Sequence, residues 1–284
     1  MRLSIAFVLF AVVLAGCAAD SASEVELPEG VAVSVYQTRS DFSARKLEVS
    51  ITNDTAEVLT IEGVLLDGEQ FAEPAAWPKD STTINPGVTA DLPVQLGDAD
   101  CTAKTLTTTV AIDFRLGDAD AATAVTEPTD SLDRLGALFA DDCFIEKVTP
   151  TATITAATAP REVTLGSRRA ALVDLAITPT GAGEPFTIDA VGNTTLLTMV
   201  DPESGAQGAL VEIDREVDAA TSASTLTLAI VPSRCDPHAI AEDKRGTIFP
   251  LEVTLASGEK GRVYVPATTE VKSAIYDFVT AACG

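Results

Sequence analysis

Three residues with usable chemistry stand close together in the sequence. Asp236, His238 and Glu242 lie in the segment Asp236-Pro237-His238-Ala239-Ile240-Ala241-Glu242-Asp243-Lys244-Arg245-Gly246. His238 is the one histidine of 284 residues, which excludes a multi-histidine metal cage. Residues four apart share a helix face, so His238 and Glu242, with Asp236 nearby, can act as an acid/base group or as weak metal ligands. The same segment also has the chemistry of a capped two-turn helix. Asp236 suits the N-cap, Pro237 the first helical position, Lys244 and Arg245 the last turn, and Gly246 the residue past the end. Capping accounts for nearly every residue and leaves His238 making a local contact beside Cys235.

Other candidates are sparser. Trp77 sits in a Pro-rich loop (residues 73–80), where it either anchors a partner or covers an edge of the core. Gly97-Asp98-Ala99-Asp100 and Gly117-Asp118-Ala119-Asp120 begin like calcium loops but lack the later acidic ligands and the glycine. No Gly-x-Ser-x-Gly elbow, phosphate loop or dinucleotide fingerprint occurs. The expectation is a non-enzyme with no metal and no cofactor. A net charge of −23, from 19 Lys and Arg against 42 Asp and Glu, argues against a nucleic-acid partner, because phosphate binding needs clustered cations.

At the N-terminus, Arg2 is followed by an apolar run from Leu3 to Leu14, too short for the roughly 20 residues that span a bilayer. The run ends in Leu14-Ala15-Gly16-Cys17, which resembles the lipobox of bacterial lipoproteins. That resemblance implies a signal peptide over residues 1–16, removal of which leaves Cys17 diacylated as the first mature residue. It also implies a protein anchored in the cell membrane by palmitate-type chains on its outer, extracytoplasmic face. Residues 17–29 are small, polar and acidic and read as a flexible tether.

The elements that carry these residues repeat along the chain. Leu59-Thr60-Ile61-Glu62-Gly63-Val64 lies over Phe186-Thr187-Ile188-Asp189-Ala190-Val191. The alternating Leu92, Val94 and Leu96, ending at Cys101, lie over Leu226, Leu228 and Ile230, ending at Cys235. Val110, Ile112 and Phe114 lie over Leu251, Val253 and Leu255, and a helical stretch ending at Cys143 lies over one ending at Cys283. The offsets drift by a few residues in unvarying order, as loop insertions in a tandem pair would leave them. One such insertion falls at residues 236–246, after Cys235.

Within each copy the apolar residues alternate, the pattern of half-buried antiparallel strands. The expected fold is mainly β: two tandem antiparallel β-sandwich domains, over residues 30–149 and 150–284. Each closes with a helix, over 131–142 (capped by Asp130, with Leu132, Leu135 and Phe139 on one face) and over 270–282. Thr83-Ile84-Asn85-Pro86-Gly87 resembles the Pro-Gly turn of bacterial immunoglobulin-like modules. Because each copy holds one strand-end and one helix-end cysteine, the repeat selects disulfides Cys101–Cys143 and Cys235–Cys283, in keeping with an oxidising compartment.

These readings converge on a lipid-anchored surface module that binds or supports and does not catalyse. Its partners are the membrane, through the anchor, and an envelope protein, wall polymer or small ligand that the sequence does not identify. Two alternatives stay open: a metal-dependent solute-binding protein or hydrolase using Asp236, His238 and Glu242, and an envelope-assembly or chaperone-like factor with an apolar groove between the copies.

Overall fold

In the computed structural model, residues 24–284 are described; the apolar run, Cys17 and most of the expected tether lie outside them. The chain first forms β1 (Glu24–Val25), β2 (Val31–Tyr36), α1 (Arg39–Ala44), β3 (Lys46–Asn53), β4 (Leu59–Gly68) and β5 (Ala75–Ala76). It continues through β6 (Thr82–Ile84), β7 (Val88–Gln95), β8 (Thr108–Leu116), β9 (Ala122–Thr126) and the long helix α2 (Arg134–Val148). Then come β10 (Ala152–Thr155), β11 (Arg161–Leu165), β12 (Arg168–Pro179), β13 (Phe186–Gly192), β14 (Leu197–Val200) and β15 (Leu210–Val217). The chain closes with β16 (Ser224–Pro232), α3 (Pro237–Ala241), β17 (Ile248–Leu255), β18 (Lys260–Pro266) and α4 (Thr269–Cys283).

The strands form four sheets of mainly antiparallel pairing, a β-sandwich class of architecture. Sheet β2-β3-β7 and sheet β1-β9-β8-β4-β5, with β6 also on β4, pack their apolar residues into one core. Sheet β10-β12-β16-β14, with β11 on β12, and sheet β15-β13-β17-β18 do the same for a second. Alternation decides which side faces in: Leu47, Val49 and Ile51 of β3 are fully buried, as period two requires.

Strand order repeats between the halves. The pair β3-β7 corresponds to β12-β16, and the run β4-β8-β9 to β13-β17-β18. Even the irregularity repeats: register slips between Ile61 and Gly63 in β4 and between Ile188 and Ala190 in β13. The residue skipped at each bulge is acidic and turned outward to a partner, Glu62 to Arg115 and Asp189 to the Thr254 hydroxyl. A bulge leaves one residue unpaired and bends the strand.

α2 departs from the sequence expectation in position and in role. Asp130 does cap, accepting from the backbone N–H groups of Arg134 and Leu135, but the helix starts after 133 and runs to Val148, so Cys143 lies inside it. Leu135 and Leu138 enter the first core, whereas Phe144 and Val148 enter the second. At about 100° per residue the two pairs point in directions about 130° apart around the helix. α2 is therefore a wedge shared by both cores, and the expected boundary at 149/150 lies just past its end. Phe144 seats flat on β18, where a Cβ on Gly261 would come within 2.7 Å of three ring carbons. Leu132, expected on the buried face, is 78% exposed in the turn before the helix.

Part of the segment expected as a tether is built into the fold, since Glu24 and Val25 pair in parallel with Thr123 and Ala124 and Leu27 packs against the first core. Both disulfides join the expected partners, Cys101–Cys143 and Cys235–Cys283, with S–S distances of 2.02 Å. α4 matches its expected span to within a residue at each end, with Val271, Ile275, Phe278 and Val279 buried.

Candidate functional site

Asp236, His238 and Glu242 do not gather into a pocket. α3 is a single turn, not two: Asp236 caps it through the His238 backbone N–H at 3.0 Å, Pro237 starts it and Glu242 ends it. All three side chains are exposed and none lines a described cavity. The helix stops early because the next residues are held by another group. Asp243 accepts from the backbone N–H of Gly246 at 2.7 Å, the Thr195 hydroxyl at 3.2 Å and the Tyr276 phenol at 2.9 Å. Those bonds fold residues 243–246 into a turn and tie the segment to α4. Gly246 permits it, since a Cβ there would meet that of Leu196 and the Asp243 carboxylate. An Asp three residues before a Gly is a turn signal that competes with helix continuation.

The turn sends Arg245 across to the first half. Its guanidinium lies 3.7 Å from the centroid of the Phe42 ring on α1, and Phe42 meets Tyr264 of β18 edge to face at 4.9 Å. The inserted segment thus reaches, through Arg245, an aromatic ring that lines a cleft between the halves. Trp77 stands elsewhere: at 6% exposure it packs in the first core, with no partner for its indole N–H among the described residues. A buried ring has no surface to offer a partner. Among the described residues the one close group of three potential metal ligands is Cys101, Cys143 and Glu146, and its two sulfurs are committed to a disulfide.

The cleft holds about 300 Å³ and is lined by Phe42, Ser43 and Arg45 from one side, Leu138, Asp141, Asp142 and Ile145 of α2 along its floor, and Ile248, Tyr264 and Pro266 from the other. Its walls are mainly apolar with a few convergent polar groups, the composition of a small-molecule site at the lower end of the usual size range. Arg45 and Asp142 are paired, at 2.5 and 3.0 Å, and Arg45 also donates to the Gly97 carbonyl at 2.7 Å. This ion pair divides the cleft from a second hollow beside the Cys101–Cys143 bond, lined by Asp98, Ala99, Ile145 and Glu146.

Asp141 differs from its neighbour. It is half-buried, and burial lifts its carboxyl above the ordinary carboxylate range. Arg134, Arg262 and Arg245 oppose that lift through space, Asp142 adds to it, and no hydrogen bond acts on the group. Arg262 is already paired with Glu252, and Arg245 is stacked on Phe42. No histidine, cysteine or lysine lines the cleft, and its hydroxyls are those of Ser43 and Tyr264. The arrangement offers a ligand apolar contact, an ion pair and a separate carboxylate. Nothing in the sequence marks Asp141, because the packing of α2 between two cores is what makes it a cleft residue.

No family model and no curated protein matches the chain. Among solved structures it is similar to red sea bream transglutaminase (10% identity, 86% of this chain and 32% of that one, TM-score 0.26). It is also similar to the YadV chaperone (9%, 83% and 100%, TM-score 0.22) and to the Amycolatopsis orientalis exo-chitosanase CsxA (14%, 77% and 25%, TM-score 0.20). The chain spans about a third of the transglutaminase's length, and likenesses at these TM-scores carry no argument.

Proposed function

We propose that this protein is a lipid-anchored extracytoplasmic module of the bacterial envelope, built from two tandem immunoglobulin-like sandwiches, that binds a ligand in the cleft between them without catalysing a reaction. The observation that carries the reading is the cleft itself: apolar walls from both halves and a floor formed by the shared helix. The two disulfides favour an oxidising location, and Leu14-Ala15-Gly16-Cys17 supplies the anchor. The dispersed, exposed Asp236, His238 and Glu242 weigh against the metal-dependent alternative.

Two experiments test the proposal. In its own cells the protein should partition into the detergent phase and Cys17→Ala into the aqueous phase; equal partitioning refutes the anchor. For binding, the purified mature protein is exposed to an envelope extract and bound material is identified by mass spectrometry. Ser43→Trp, at an exposed rim position, fills the cleft without touching either core. A retained molecule that Ser43→Trp fails to hold supports the cleft as the site, and retention unchanged by the substitution places binding elsewhere.

A further inference from the structure

We infer that the cleft between the halves takes a small organic cation, an ammonium or guanidinium group carried on an apolar body, with Asp141 as its counter-ion. The inference rests on the cleft being a binding site and adds the chemical class of its ligand. The charges that face the cavity are three. Arg45 and Asp142 pair through two hydrogen bonds, and Arg45 also donates to the Gly97 carbonyl. Among the described residues no donor bonds Asp141, which shares the cleft with Leu138, Ile145, Ile248 and Pro266. A half-buried carboxylate with no hydrogen bond is a costly group that a cation would satisfy.

The resident side chains already show the matching chemistry. Arg245 places a cation on the Phe42 face at the edge of the same cavity, with Tyr264 next to it. Aromatic faces beside a carboxylate attract cations with apolar stems through the ring quadrupole. The chain's net charge of −23 draws cations toward the surface and repels anions. At about 300 Å³, the cavity has room for one ring or short chain and not for a folded segment of another protein.

The groups around Asp141 set the pH behaviour. Asp142 and Arg134 share its helix, Arg262 comes from β18 and Arg245 from the inserted loop. The arginines keep their charge at any accessible pH, so the affinity for a cation follows ionisation of Asp141 and falls as acid protonates it.

The test uses three probes with the same body and different charge: phenethylamine, phenylacetate and 2-phenylethanol. Each is titrated at neutral pH into the mature protein, Asp141→Asn and Ser43→Trp, following the Ile145 and Ile248 methyl resonances. Phenethylamine is expected to bind at millimolar concentration or below, phenylacetate about tenfold more weakly or not at all, and Asp141→Asn to lose about tenfold for the amine with little change for the alcohol. Equal binding of all three, abolished by Ser43→Trp, overturns the cation assignment and leaves the cleft as a site. Preference for phenylacetate also overturns it, assigning the arginines as the recognising groups. No binding of any probe at millimolar concentration overturns both the class and the site.

Discussion

The contact between Phe144 and Gly261 makes a quantitative test of α2 as a shared wedge. Phe144 is 4% exposed and belongs to the second core, so Phe144→Ala is expected to cost about 3–5 kcal/mol, the range for buried phenylalanines. Gly261→Ala attacks the same contact from the other side. The new methyl would stand within 2.7 Å of three ring carbons, against an optimal separation of about 3.5–4.0 Å. The ring must retreat by about 1 Å in a close-packed interior, an overpacking cost of about 1–3 kcal/mol. In the double variant the clash vanishes, because the ring is gone. Gly261 does not have a positive φ, so alanine fits its backbone, and the added methyl stabilises by about 0.4–1 kcal/mol. The double variant should be no worse than Phe144→Ala alone, a coupling of about 1–3 kcal/mol in a double-mutant cycle. Denaturant titration measures the cycle, and hydrogen exchange locates the loss. Exchange should accelerate in β17 and β18, while the fluorescence of Trp77, the single tryptophan and a first-core residue, changes later in the titration. Additive costs within about 0.5 kcal/mol would show that the ring does not rest on Gly261, and the shared-wedge argument would fall.

Three further outcomes follow from the geometry. Removing the Cys101–Cys143 or the Cys235–Cys283 bond, which close loops of 42 and 48 residues, should each cost up to about 4 kcal/mol by chemical denaturation, with the two losses close to additive. Asp243→Ala should release residues 243–246 from α4, costing about 1–3 kcal/mol. Because burial and the Asp243 bond both raise the Tyr276 phenol, its ultraviolet titration in this variant should move back toward the ordinary tyrosine range. Asp141→Asn should be more stable than the parent at neutral pH. Burial raises the Asp141 carboxyl, so folding favours its neutral form; the contribution of Asp141 to the parent's stability is greatest below the ordinary carboxylate range and declines as pH rises through the raised value. The advantage of the variant should therefore disappear in acid, and a loss of stability at neutral pH would mean that the charge is held by its surroundings.

The features legible in the sequence are those carried by local periodicity or by repetition. Strands such as β3 and β8 alternate cleanly because each has one face in a core, and the disulfide pairs follow from matching a strand-end and a helix-end cysteine in each half. α2 resists the same reading for a physical reason. A helix with one buried face shows one apolar stripe, but Leu135 and Leu138 face one core while Phe144 and Val148 face the other, so no single stripe exists. The eye then recruits Leu132, which lies in the preceding turn.

The inserted segment shows the same limit from the opposite direction. Its capping residues are local and read correctly at Asp236 and Pro237, yet the reading runs one turn too far because the competitor for Asp243 is Tyr276, a residue of a distant helix. His238 drew notice as the chain's one imidazole, although a side chain in solvent has neither the fixed neighbours nor the desolvation that chemistry needs. Asp141 has both and carries no sequence signal, since its character comes from what α1, β17 and β18 bring around it. Those elements stand far from Asp141 in the chain, on both sides of it, so no local pattern announces the place where they meet.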